Sequence, residues 1–227
     1  MAANYWNSSQ FKKWFASFDQ FALSRPTFDD SSIEYWNLIK SFGTKLKVRQ
    51  RAQATAAVLL KRYIHAVKHE PKERELFVTA CLYLASKVEE CPVHIRVVTA
   101  EAIQFWPDSV KPSRSLIAQT ESHILSHLDA YVIVFHPYPT LEKIYRENLI
   151  TKKQLELAWG LVNDSYATQL SLICHPHEIA YAAALWACAD DPQALLKLKP
   201  SLEKIDVFRI TACMQHLLAL AGRLGQS

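Results

Sequence analysis

The sequence has 227 residues, half of them hydrophobic and about a fifth charged, and 26 Lys and Arg against 22 Asp and Glu leave a net charge of +4. That is ample length for a buried core, the composition is not that of a disordered chain, and the charge is too small to argue for nucleic acid unless gathered on one face. No apolar run approaches the roughly 20 residues that span a bilayer, and the start "MAANYWNSSQ" lacks a signal peptide's charged region and apolar core, so a soluble, intracellular protein is expected.

Periods near 3.6 dominate and strand-like alternation is scarce, which predicts an all-α fold. Residues 8–22 carry an aromatic stripe of Phe11, Trp14, Phe15, Phe18 and Phe21, with Ser8 or Ser9 as cap. After "SRPTFDD", Ser31 and Glu34 read as a capping box for a helix with Tyr35, Ile39, Phe42 and Leu46 on one side. A third helix, 49–67, is rich in alanine (Ala52, Ala54, Ala56, Ala57), so neighbours can approach closely. Pro71 suits the first turn of a fourth, which Pro92 closes, and further helices follow over 94–105 and 115–129. "YVIVFHPYPT" (131–140) is a proline-broken, partly buried connector. Helices then resume over 138–148, 152–170, 176–189, a short stretch after Pro192, and 202–221 after Ser201.

The second half echoes the first. "FVTACLYLASKVEECP" is matched by "IAYAAALWACADDP", with Ala85 and Ala187 separated by 102 residues and Tyr63 and Tyr166 by 103. Two related five-helix units are expected, over 31–130 and 131–227, preceded by an N-terminal helix and linker over 1–30.

Four glycines form no cluster of the kind that cradles a phosphate or a dinucleotide. The five cysteines (81, 91, 174, 188, 213) are scattered without paired spacing and read as reduced thiols. Cys174, His175 and His177 lack a nearby fourth ligand, so a structural turn is favoured over a metal site. "KLKVRQR" (45–51) reads as the solvated junction of two helices, with phosphate contact or an import signal as alternatives.

Two charges do not fit. Lys87 stands between Leu84 and Val88 on an apolar helix, and Glu121 shares the stripe of Ile117, Ile124 and Leu128. A buried carboxylate is costly unless paired. Either the two meet at an edge of the core, or a lysine stem snorkels and a glutamate lies at the rim of a wide helix.

"LASKVEE", followed some thirty residues later by "ESHILSHLD", resembles the cyclin box, and the likeness extends over nearly the whole chain. "NYWNSSQ" and "YVIVFHPYP" look like the cyclin C branch, which serves the transcriptional Mediator complex. The resemblance implies two tandem five-helix cyclin boxes in a nuclear, non-catalytic activator of a cyclin-dependent kinase. Other Mediator subunits would be further partners, with no cofactor, metal, membrane or direct DNA contact. It places Lys87 and Glu121 at the kinase-binding surface with apolar anchors such as Leu84, and Phe11, Lys12 and Lys13 on the kinase-facing side of the N-terminal helix. Glu89 and Glu90 would meet basic kinase residues, or form only a solvated helix end. The hydrophobic docking patch of cell-cycle cyclins is missing from "SSIEYWNLIKSFG", and "RENL" (146–149) falls inside an expected helix, where a destruction signal is accidental. A transcription adaptor with the same repeats, binding DNA or initiation factors without a kinase, is the alternative.

Overall fold

The computed structural model describes residues 4–15, 30–107, 111–203 and 205–224. Among these the secondary structure is entirely helical. The chain divides into two compact units. Of the described residues, one unit holds 4–14 and Asp30–Val134, and the other holds Phe15 and everything from Phe135 onward.

The first unit contains α1 (Asp30–Lys45), α2 (Gln50–Val67), α3 (Arg74–Val88), α4 (Ile95–Phe105) and α5 (Arg114–His127). Helix α3 packs against the other four. Helix α2 is buried on every side from Ala52 to Tyr63, because small alanine side chains let its neighbours close in. Gly43 of α1 serves the same end, since a Cβ there would lie 2.8 Å from the Gln53 side chain.

The second unit contains α6 (Tyr138–Arg146), α7 (Lys152–Ser165), α8 (Leu170–Ile173), α9 (Pro176–Ala187), α10 (Pro192–Leu202) and α11 (Val207–Leu224). Here α9 packs against α6, α7, α10 and α11. Pairing α1 with α6, α2 with α7, α3 with α9, α4 with α10 and α5 with α11 reproduces, in each unit, the same set of helix contacts around the hub. The sequence echo therefore has a counterpart in packing.

Helix ends explain how so few glycines suffice. Four helices close with the amide two residues past the cap bonding back into the last turn: Val48 to Gly43 O, Cys91 to Ser86 O, Ala130 to Leu125 O and Leu149 to Ile144 O, at 2.9–3.2 Å. The residue that turns left-handed is Lys47, Glu90, Asp129 or Asn148, where glycine is usual. Starts are capped by side chains: Ser113 accepts from Leu116 N, Thr151 and Gln154 bond reciprocally, and Asp191 accepts from Gln193 N and Ala194 N.

Several expected boundaries move. Pro71 lies three residues ahead of α3 rather than in its first turn. Glu34 accepts from Arg74. The helix expected over 152–170 stops at Ser165, where Ser165 and Thr168 hydroxyls bond to nearby carbonyls and form a turn before α8. Ser201 does not start the last helix. It lies in the last turn of α10, which runs through Pro200, and α11 begins after Asp206, whose carboxylate accepts from Phe208 N. "RENL" straddles the end of α6 rather than lying within it.

The N-terminal stretch is not one regular helix over its described part. A 3₁₀ turn covers Tyr5–Asn7 and a π-helical turn Gln10–Trp14. Ser8 Oγ accepts from Phe11 N. Phe18 and Phe21 lie outside the described residues.

Candidate functional site

The end of α3 gathers the site. Its last turn carries Lys87, a position where the helix dipole favours a cation. Four residues apart on one face, Tyr83 and Lys87 meet, with the ammonium 4.3 Å from the ring centroid. Across the α3–α5 contact the same ammonium forms an ion pair with Glu121. The Glu121 side chain is 10% exposed and Lys87 40%, so the carboxylate is sunk and the ammonium reaches the surface. Both anomalies of the sequence are thus one feature: burial of the Glu121 carboxylate is compensated by a cation that keeps further donors for an outside partner.

Glu89 has a different role from the one expected. Its carboxylate, 8% exposed, accepts from Thr55 Oγ1 at 2.7 Å and pairs with Arg51 Nε at 2.6 Å, both on α2. It ties the α3 end to α2, and a kinase contact would have to compete with these bonds. Glu90 is exposed and holds the left-handed position at φ 53°. Leu84, expected as a surface anchor, is 4% exposed and belongs to the core, since it projects from the inner side of the hub helix.

The N-terminal residues also divide. Lys12 is exposed. Lys13, its side chain 40% exposed, pairs with Asp129 and lies 4.6 Å from the Tyr131 ring centroid. Trp14 is buried against the Arg62 guanidinium, and Phe11 packs on Tyr5 and Trp6. Phe15 stacks on His175, with ring centroids 4.1 Å apart.

Sequence reasoning missed two arginines that are held by internal partners. Arg62 is fully buried, donates to the Tyr131 and Ile133 carbonyls at 3.2–3.3 Å, and is pushed down to about 9 by burial. Arg209 of α11 donates to Glu178 at 2.6 Å and to the Ile173 carbonyl at 2.9 Å, forming a buried ion pair in the second unit. Glu178 also accepts from His175 N at the start of α9. A glutamate two residues after a helix-opening proline was the available signal for that cap. Nothing in the spacing pointed to Arg209. Burial holds His175 down to about 4, with the Arg209 charge also lowering it and Glu178 opposing. Cys174 lies with its sulfur 2.9 Å from that of Cys213, and burial pushes its thiol up. Among the described residues no group of three or more His, Cys, Asp or Glu could hold a metal ion, and no helix is long and apolar enough to cross a membrane.

Two copies of one five-helix packing pattern each carry a charged pair between hub helix and last helix, Lys87–Glu121 reaching the surface and Glu178–Arg209 turned inward, and together they define a helical protein with one distinctive polar feature at its surface. The family described as Cyclin, N-terminal domain, matches residues 16–133. An RNA polymerase II holoenzyme cyclin-like subunit of Emericella nidulans is 37% identical over 242 residues, covering 99% of this chain and 80% of the relative. Its namesake in Aspergillus oryzae is 35% identical over 208 residues, covering 85% and 69%. A chain of the yeast TFIIK (Kin28/Ccl1/Tfb3) complex superposes with a TM-score of 0.74 at 18% identity, covering 94% of this chain and all of that one. The chain belongs to the cyclin family.

Proposed function

We propose that this chain is the regulatory, non-catalytic subunit of a cyclin-dependent kinase acting in RNA polymerase II transcription, and that its two units are the two cyclin boxes. The Lys87–Glu121 pair carries the reading: a sunken carboxylate held by a surface-reaching ammonium on the rigid α3–α5 edge. The relatives named as RNA polymerase II holoenzyme cyclin-like subunits support the transcriptional assignment.

In this reading the edge packs against the mobile activating helix of the kinase, with Lys87 and Glu121 bonding backbone groups around it. The cyclin supplies binding free energy to the active conformation only, and so shifts the kinase population toward it. Moving such an equilibrium from 1:99 to 99:1 takes about 5.5 kcal/mol of differential binding. Tyr83 joins Lys87 and Glu121 at this surface. Exposed Lys12 and Glu90 are outer contacts. The buttress of Glu89, Arg51 and Thr55 holds the edge in place. The proposal further places the chain in the Mediator kinase module, in the nucleus, a reading that the start and junction motifs support.

Affinity purification of the tagged protein with mass spectrometry of its partners tests this. A cyclin-dependent kinase arriving with Mediator subunits is expected. A kinase without Mediator removes the module assignment. Initiation factors or DNA with no kinase would replace the proposal with an adaptor role.

A further inference from the structure

In the sequence echo the 102-residue offset sets Ala189 against Lys87, with Lys87 in the last turn of α3 and Ala189 two residues past the end of α9. No pair forms there. Instead Trp186 and Ala189, with Thr211, Met214, Gln215 and Leu218 of α11, line an open groove of about 290 Å³. None of these six side chains is ionisable. The volume lies just below the roughly 300–1,000 Å³ of small-molecule pockets, and of the two polar side chains in the lining, Thr211 and Gln215, the Thr211 hydroxyl is occupied by the Val207 carbonyl at 2.9 Å. Its size and chemistry suit an apolar anchor side chain.

The groove continues along an uncharged helix face. From Val207 to Gly222, about four turns, the only Asp, Glu, Lys or Arg of α11 is Arg209, and that side chain is turned inward to Glu178. Phe208 is 67% exposed and Leu218 62%, and Val207 is exposed as well. A surface helix with so much unpartnered apolar area marks an interaction surface. At the α9 end of the groove the rim carries a carboxylate. Exposed Asp190 follows Ala189, and the carbonyl end of α9, the negative pole of that helix, points the same way. Asp191 beside it is occupied in capping α10 and accepting from Gln154.

We propose that the α9–α11 groove docks an amphipathic helix of another protein, one that lays aliphatic or aromatic anchors along α11 and sets a lysine or arginine against Asp190. Helix-in-groove recognition uses anchors at i, i+3 or i+4 and i+7, which a four-turn face accommodates. Each unit then has a partner surface beside the end of its hub helix, charged in the first and apolar in the second. The proposal stands on the second unit alone and does not depend on the kinase reading.

The chain contains two methionines, Met1 and Met214, so ¹³C-methyl methionine labelling places one reporter in the groove and one at the terminus. The probes are two synthetic helical peptides of roughly 16 residues, matched to four turns, with identical Leu and Trp anchors and either Lys or Glu flanks. The Lys-flanked peptide is expected to shift the Met214 methyl saturably, to leave Met1 unmoved, and to bind about tenfold more tightly than its Glu-flanked twin. Asp190→Lys should remove that preference. Leu218→Glu, at an exposed position that the fold tolerates, should abolish binding. A Met214 signal unmoved by either peptide, or equal affinity for both, overturns the proposal. A shift driven by protein concentration alone would identify a second copy of this chain as the occupant and overturn it equally.

Discussion

Lys87 and Glu89, two residues apart at the end of α3, turn to opposite neighbours: Lys87 reaches Glu121 of α5, while Glu89 reaches Arg51 and Thr55 of α2. One short stretch thus holds a surface charge pair and the brace that fixes its position.

The brace has its own signature. Glu89→Ala leaves the fully buried Thr55 hydroxyl without this acceptor, and should lower stability by about 1–3 kcal/mol in chemical denaturation. Glu90→Gly, by contrast, relieves a left-handed residue and should leave stability unchanged or slightly raised. If kinase activation survives Glu90→Gly, Glu90 is a helix terminator only. Its loss at unchanged stability would make Glu90 a contact.

In the second unit, Arg209→Met strands the Glu178 carboxylate, which is 2% exposed, and should cost about 3–5 kcal/mol. Replacing both partners with methionine should recover most of that loss, since a buried pair and a well-packed apolar pair differ little. Thermal unfolding of the single and double variants decides it.

A pH dependence follows from His175. Its folded pKa, about 4, lies below the ordinary histidine value of about 6.5. Above pH 6.5 both folded and unfolded forms are neutral and the group's contribution to stability is complete. Between 6.5 and 4 the unfolded chain takes a proton that the folded one refuses, so stability falls as the solution is acidified through that window. His175→Phe should flatten the slope of unfolding free energy against pH in this range.

Gly43 is required by proximity rather than by backbone angle. Gly43→Ala drives a methyl into the Gln53 side chain, which is buried and donates to the Val48 carbonyl at 2.9 Å, and should cost about 1–3 kcal/mol. Comparing denaturation midpoints with Gly160→Ala, where nothing lies within 4 Å, gives the control.

Much of this architecture was legible because helical period and alanine content are local. The α2 and α3 stripes and the correspondence of α3 with α9 follow from spacing; spacing left the Lys87–Glu121 meeting as one of two readings, and the resemblance to the cyclin box favoured it. What was not legible depended on long-range partners. Glu89 reads as a solvated helix end until Arg51 and Thr55, more than thirty residues earlier, are brought beside it. Arg62 and Arg209 are ordinary surface residues by pattern, yet each is drawn inward by carbonyls or a carboxylate from a distant segment. Leu84 was misplaced because a hub helix buries nearly its whole circumference, so a leucine next to a surface lysine can still face inward. The Lys13–Asp129 pair was not legible because its partners stand more than a hundred residues apart.

The central claim is that the Lys87–Glu121 edge activates a kinase, and Lys87→Glu tests it most directly. The substitution sets two carboxylates together at a position 40% exposed, so helix content should be nearly retained. Phosphorylation by the cognate kinase, titrated with wild-type or variant protein, should show the variant weakened by roughly 2–5 kcal/mol, and failing to activate at concentrations that saturate with wild type. Glu121→Lys should behave alike. Full activation by Lys87→Glu at the wild-type concentration would contradict the account.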